Sequence, residues 1–124
     1  QQIRDRMRRK SIPDTTVEVV FERVRPPLEA TPASRAVATH AQRVYRRIGR
    51  RLSVQIAASG GGTDAAFAAL ETKAAVLEGF GLKGFGAHSD NAEYIEIPSI
   101  EPRLYLMTRM IMDVAAGAAG DTTN

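Results

Sequence analysis

Three consecutive glycines at positions 60–62 precede Thr63 and Asp64, between a predicted strand and a predicted helix. Glycine lets the backbone come close to a ligand because it has no Cβ, and the unpaired N–H groups of a helix start attract anions. The turn is not a P-loop, because no Lys-Ser or Lys-Thr pair follows the glycines. The alternative is a tight turn capped by Thr63 or Asp64, and the turn alone slightly favours that structural role.

A glycine-dense loop, residues 79–91, contains the second candidate, His88. Imidazole is a common metal ligand and a common general acid or base, and loops that follow strands carry the sites of many α/β proteins. Without other information, an exposed loop histidine is the favoured alternative. His88, Ser89 and Asp90 do not form a catalytic triad, because adjacent side chains diverge whereas a triad is assembled from distant positions.

Two further residues could bind a ligand or pack in the core. Arg25 directly precedes two prolines that stiffen its backbone, and its guanidinium could hold a carboxylate through two hydrogen bonds. A solvated linker arginine is an equal alternative. His40 lies beside the apolar stripe of a predicted helix, so we expect a partly buried helix residue rather than a ligand.

The composition excludes several kinds of site. The 124 residues include two histidines and no cysteine, which rules out disulfides, thiolate zinc sites and cysteine nucleophiles. No apolar run approaches the roughly 20 residues of a membrane-spanning helix, so no membrane partner is expected. Residues 1–51 hold 13 basic and 5 acidic side chains, a balance of +8, and residues 52–124 hold 4 and 9, a balance of −5. This asymmetry predicts two different surfaces.

The hydrophobic periodicity predicts an α/β fold with a partly parallel sheet. A short helix over residues 3–7 is followed by alternation in 15–23, which indicates a strand. From residue 31 the pattern predicts a helix from Thr31-Pro32 to Gly49, a strand at 52–56, an Ala-rich helix through Leu70 and a strand at 74–77. The glycine-dense loop follows, then an extended stretch near 94–97 and a last helix from Pro98 to Gly117. The apolar positions of the last helix are Ile100, Leu104, Met107, Ile111 and Val114.

Four segments in this order resemble the glutamate carboxypeptidases of carboxypeptidase G type. These enzymes are co-catalytic zinc peptidases, a group that includes acetylornithine deacetylase and succinyl-diaminopimelate desuccinylase. The segments are Gly60-Gly61-Gly62-Thr63-Asp64-Ala65-Ala66, Gly84-Phe85-Gly86-Ala87-His88-Ser89, Ala92-Glu93-Tyr94-Ile95 and Pro102-Arg103-Leu104-Tyr105, and the similarity extends upstream through Arg23-Val24-Arg25-Pro26. One such motif would be weak, but four in register with matching spacing are specific.

The resemblance implies the C-terminal part of a catalytic domain that is interrupted by a lid domain mediating dimerisation. Residues 1–23 would end the lid domain, 24–30 would link the domains, and 31–124 would return to the catalytic domain. His88 matches the last zinc ligand, and Arg25 and Gly62 match positions that receive the carboxylate of the substrate's C-terminal residue. Ala87 stands where the family often has an aromatic residue.

The family's other zinc ligands have no counterpart in this sequence. His40 is followed by Ala41-Gln42 rather than by x-Asp, and there is no Glu-Glu pair to supply the general base. A zinc site needs three or four ligands. The sequence is therefore interpreted as a C-terminal fragment of a metallocarboxypeptidase. The resemblance implies that the complete enzyme binds two zinc ions and releases a C-terminal amino acid, glutamate above all, from a peptide or an N-acyl amino acid. The fragment alone is expected to be inactive, to require the N-terminal part of the same enzyme and to form a homo-oligomer.

Two other classes of function stay open. A nucleic-acid-binding module could use the basic half, but no RNA-binding signature appears and aromatic residues do not interleave with the arginines, so no nucleic-acid partner is expected. A non-enzymatic dimerisation module could pair an edge strand such as 15–23 between two chains.

Overall fold

A computed structural model describes residues 2–8, 12–57 and 59–119. The helices are α1 (Gln2–Met7), α2 (Pro32–Arg46), α3 (Ala65–Glu71) and α4 (Ile100–Ala115), and a 3₁₀ turn, Ile97–Ser99, leads into α4. The strands are β1 (Gly84–Phe85) and β2 (Tyr94–Ile95). Among these residues, no helix has the length and apolarity that a membrane crossing requires.

The core lies where α2 packs against α4. Ala41, Val44 and Tyr45 are spaced at helical intervals on one face of α2, and Leu106 and Met110 lie four residues apart on α4. Val44 and Leu106 are fully buried. The sequence predicts an apolar stripe on α2 formed by Val37, Ala41, Val44 and Ile48. This stripe faces the core, with Val37 and Ile48 partly buried against it.

The apolar positions predicted for the last helix do not form its packed face. Ile100, Leu104, Met107, Ile111 and Val114 are all exposed in the described structure. Because α4 carries apolar side chains on several sides, periodicity alone cannot say which side packs. The side that contacts α2 is offset from the predicted stripe.

Local signals at the helix ends agree with the prediction. The Thr31 hydroxyl accepts a hydrogen bond from the Ser34 N–H at 3.1 Å, which satisfies one unpaired donor of the first turn of α2. Gly49 and Gly117 follow α2 and α4 with φ of 69° and 73°. The N–H groups of each glycine and of the residue after it donate to carbonyls of the last helical turn, at 2.8–3.2 Å. This is the Schellman motif, which favours glycine at this position.

The structure corrects the prediction of strands at 15–23, 52–56 and 74–77. Within the described residues they form no ladder, and the sheet there is a two-stranded antiparallel pair rather than a partly parallel one. A strand exists only when another strand accepts and donates its backbone bonds. Alternation in the sequence shows which side chains suit a buried face, but it does not supply that partner.

Side chains of α2, rather than neighbouring strands, bind two of these segments. Buried Ser34 donates its hydroxyl to the Val76 carbonyl at 3.0 Å and accepts the Val76 N–H at 3.3 Å. Gln42 donates through Nε2 to the Leu52 carbonyl at 3.1 Å. The segments at 52–56 and 74–77 are therefore held beside α2.

The observed strands form a short hairpin in the region predicted as a loop and an extended stretch. Gly84 pairs with Ile95 and Phe85 with Tyr94, and the Phe85 and Tyr94 rings lie 6.1 Å apart. A Cβ at Gly84 would lie 2.5 Å from the Tyr94 carbonyl oxygen. The strands approach so closely that position 84 excludes a side chain.

A buried polar pair crosses the interface between the two long helices. His40 Nε2 lies 2.7 Å from Asp113 Oδ2, and both side chains are buried. Arg109 Nε lies 3.0 Å from Asp113 Oδ1, and Arg43 donates to His40 Nδ1 at 3.2 Å. Because Nδ1 accepts this bond, Nε2 carries the hydrogen donated to Asp113. His40 is thus a buried helix residue, as predicted.

The hydrogen bond from His40 holds the pKa of Asp113 below its ordinary value of 3.8, against the opposing effect of burial and with help from Arg109. A carboxyl whose pKa is lower in the folded chain stabilises the fold above its unfolded pKa, and that stability is lost as pH falls through the folded pKa. We therefore expect the free energy of unfolding of Asp113→Asn to fall less steeply than that of wild type as the pH is lowered below about 4. Urea denaturation at several pH values measures this.

The matched control for this prediction is Glu18→Gln, which neutralises an exposed carboxyl. It should leave the wild-type acid profile unchanged. If Asp113→Asn and wild type lose stability in parallel on acidification, the pair does not contribute to acid sensitivity.

Gly86 closes the hairpin and should not tolerate a side chain. Its φ is 74°, and a Cβ there would overlap the Ala92 carbonyl. We expect Gly86→Ala to destabilise the chain by about 2 kcal/mol or more, since left-handed backbone and a backbone clash add together. Gly81→Ala is the control, because nothing lies within 4 Å of its added Cβ and its φ is not positive. Equal urea midpoints for the two variants would contradict the close approach.

Candidate functional site

Arg25 and Gly62, distant in sequence, lie side by side. A Cβ at position 62 would be 3.2 Å from Arg25 Cδ and 3.9 Å from Arg25 Nε. Gly62 does not have a positive φ. Backbone conformation does not require glycine here, whereas a side chain would need the arginine stem to shift by a few tenths of an ångström.

Two other side chains contact the Arg25 guanidinium. Nη1 donates to Asp64 Oδ1 at 2.6 Å, and Cζ lies 5.9 Å from the centre of the Phe67 ring, within the range of a cation–π contact. The Arg25 and Asp64 side chains are 51% and 91% exposed. An ion pair this exposed adds little to the stability of the fold. Its main effect is on the position of the Arg25 guanidinium.

The glycine turn itself agrees with the structural alternative. The Thr63 hydroxyl accepts the Ala65 N–H at 3.1 Å, whereas Asp64 makes no capping bond with its side chain. The following helix, α3, has only seven residues, and the Asp64 carboxylate stands at its start. An anion would therefore be held here by Arg25 rather than by the helix end.

His88 lies on the connection between β1 and β2. The Ser89 N–H bonds to the Gly86 carbonyl at 2.9 Å, and His88 occupies the third position of this turn with φ of 67°. That position normally takes glycine or asparagine. The side chain is exposed, so the imidazole is accessible, and its left-handed backbone is a feature that the sequence pattern did not indicate.

The residues of the described ranges do not by themselves fit a zinc site. No group of three or more His, Cys, Asp and Glu side chains among them could hold a metal ion. One imidazole cannot fix the geometry of a zinc ion, which needs three or four ligands. The chain can offer one accessible ligand, His88, but not a complete metal centre.

A cleft of about 1050 Å³ lies beside the Arg25–Gly62 pair. Pro26, Gly61 and Thr63, which are chain neighbours of the pair, line part of it. Its other walls come from α2, from residues 27–30, from Arg103 and Leu106 of α4, and from the unpaired segments near 52–57 and 76–80. The cleft therefore extends from the neighbours of Arg25 and Gly62, the candidate carboxylate-binding residues, to the two segments that form no strand ladder.

Asp64 and Phe67 are contacts of Arg25 that sequence reasoning missed. From the sequence, Asp64 is a candidate cap for the turn. It lies 39 residues from Arg25 along the chain, so no local spacing could indicate the ion pair. The available signal was the placement of a carboxylate two positions after Gly62.

The comparisons with known proteins agree with the resemblance. The sequence profile described as Peptidase family M20/M25/M40 matches residues 4–113. The chain is 43% identical over 115 residues to carboxypeptidase G2 of Pseudomonas sp. (strain RS-16), a match that covers 93% of this chain. It spans 27% of the length of that relative, in its C-terminal part. Because the profile covers most of the sequence, this chain belongs to the peptidase family M20/M25/M40.

Proposed function

We propose that this chain is part of a zinc-dependent metallocarboxypeptidase that hydrolyses an amide bond and releases a C-terminal amino acid, glutamate above all. The observation that carries the proposal is the exposed Arg25 guanidinium packed against Gly62. Similarity to a protein named carboxypeptidase G2 supports the same reaction class. The substrate would be a peptide or an N-acyl amino acid with a free carboxylate.

Arg25 would recognise the carboxylate of the residue that is released. A guanidinium offers pairs of parallel N–H donors that match the two oxygens of a carboxylate. Gly62 leaves room for the arginine stem, and the adjacent cleft would hold the rest of the substrate. Binding at this point fixes the distance from the terminal carboxylate to the bond that is cleaved.

His88 would supply one zinc ligand, and the N-terminal part of the same enzyme would supply the others together with the general base. Two zinc ions would polarise the amide carbonyl and activate a water. His88 would donate one imidazole nitrogen from a turn that keeps the side chain exposed. The N-terminal part would also provide strands to pair with 52–56 and 74–77, completing the α/β sheet.

The domain limits belong to the same proposal. Residues 1–23 would be the last part of a lid domain, 24–30 would link it to the catalytic domain, and 31–124 would belong to the catalytic domain. Val17, Val20 and Phe21 are exposed apolar side chains, which favours a further role of the 15–23 segment in dimerisation. A basic nucleic-acid-binding role finds no comparable support.

Arg25→Ala, made in a complete enzyme that contains this chain, should lower kcat/KM about ten- to a hundredfold on substrates with a C-terminal glutamate, because a charged hydrogen bond is lost. Substrates with that carboxylate converted to an amide should be hydrolysed equally by both enzymes. Steady-state kinetics on the matched pair measures this.

Arg23→Ala is the control for Arg25→Ala, since it removes an exposed arginine two positions upstream. It should retain wild-type preference for the free carboxylate. If Arg25→Ala also retains that preference, Arg25 is only a linker residue.

The 124-residue chain alone should neither bind zinc tightly nor release glutamate, because its described residues form no metal cluster. Calorimetry with zinc and a glutamate-release assay measure both properties. The control is His88→Asn, which suits a left-handed turn position and should remove the residual weak zinc binding. Submicromolar zinc affinity, or turnover above background, would refute the dependence on an N-terminal part.

A further inference from the structure

We propose that Asp64 is a positioning residue that holds the Arg25 guanidinium in place for the carboxylate of the substrate. The inference rests on the proposed function, because it concerns the same arginine. Asp64 itself would not contact the substrate.

The ion pair between Arg25 and Asp64 uses a single nitrogen and a single oxygen. Nη1 donates to Oδ1 at 2.6 Å. Among the described residues, Nε and Nη2 of Arg25 have no hydrogen-bond partner. These two nitrogens form the other edge of the guanidinium, whose parallel N–H donors fit a carboxylate. Asp64 thus occupies one corner of the guanidinium and leaves a complete two-donor edge open.

The neighbours of that open edge keep it accessible. A Cβ at Gly62 would be 3.9 Å from Nε, so the missing side chain leaves free space beside this donor. Cζ of Arg25 lies over the Phe67 ring, 5.9 Å from the ring centre. The hydrogen bond to Asp64 and the contact with Phe67 together restrict a long side chain that is 51% exposed.

Holding an arginine in advance lowers the entropy lost when a ligand binds. A flexible arginine must give up rotamer freedom to make two directed hydrogen bonds. The Asp64 bond removes part of that freedom before the substrate arrives. A competing role, in which Asp64 would block the arginine, is disfavoured because the bond leaves the Nε and Nη2 donors free.

The experiment uses a complete enzyme that contains this chain, with zinc removed so that the probe is not hydrolysed. N-acetylglutamate is the probe, and its α-amide is the matched control ligand. Binding is followed by the NMR signal of the Arg25 Nε–H group in wild type, Asp64→Ala, Asp64→Asn and Arg25→Ala, and circular dichroism compares the folds. Asp64 is 91% exposed, so the fold should not depend on it.

Asp64→Ala should weaken binding of N-acetylglutamate about two- to fivefold, the range of an exposed ion pair. Asp64→Asn keeps an acceptor oxygen and should restore part of the loss. In the absence of ligand, the heteronuclear NOE of the Arg25 Nε–H should fall in Asp64→Ala, a sign of a mobile guanidinium. The α-amide should bind weakly to every variant, without dependence on Asp64.

Two results would overturn the proposal in different ways. If Asp64→Ala binds as tightly as wild type or more tightly, while Arg25→Ala loses binding, Asp64 does not position Arg25 but the carboxylate role of Arg25 stands. If wild type and Arg25→Ala bind equally, or if wild type does not bind, the carboxylate role of Arg25 fails and the proposed function fails with it.

Discussion

The contact between α2 and α4 is the constraint on which the rest of the described structure depends. Val44 and Leu106 are fully buried there, and the buried His40–Asp113 pair fixes the relative position of the two helices. Arg109 contacts Asp113 and Arg43 contacts His40, so removing either member of the pair would leave part of this buried polar network unsatisfied. The interface therefore combines apolar packing with a polar contact that specifies one alignment.

The segments without ladder partners take their positions from α2. The Ser34 hydroxyl both donates to and accepts from the backbone of Val76, and so satisfies two groups that a neighbouring strand would otherwise pair. Gln42 satisfies one carbonyl, that of Leu52. Residues of both segments line a cleft, and among the described residues neither segment is part of a ladder. This arrangement is consistent with a chain that spans 27% of its relative.

The helices could be predicted from the sequence, because caps and apolar spacing are local signals. Thr31 and Gly49 indicated the ends of α2 through chemistry that acts within a few residues. The strands could not be predicted in the same way, since a ladder depends on a partner. At the candidate site, Arg25 and Gly62 lie side by side and their role in binding a carboxylate stays a prediction, whereas the Arg25–Asp64 contact joins positions 39 residues apart and has no local signal.

The backbone at His88 provides a separate physical argument about function. A non-glycine residue with left-handed φ costs about 1–2 kcal/mol, and His88 has φ of 67° in an exposed turn. A glycine at this position would fit the turn without that cost, so packing and turn geometry do not explain the imidazole. The turn is closed by the bond from the Ser89 N–H to the Gly86 carbonyl and follows the closely paired strand at Gly84–Phe85. The hairpin is thus the element that holds His88 in an accessible orientation.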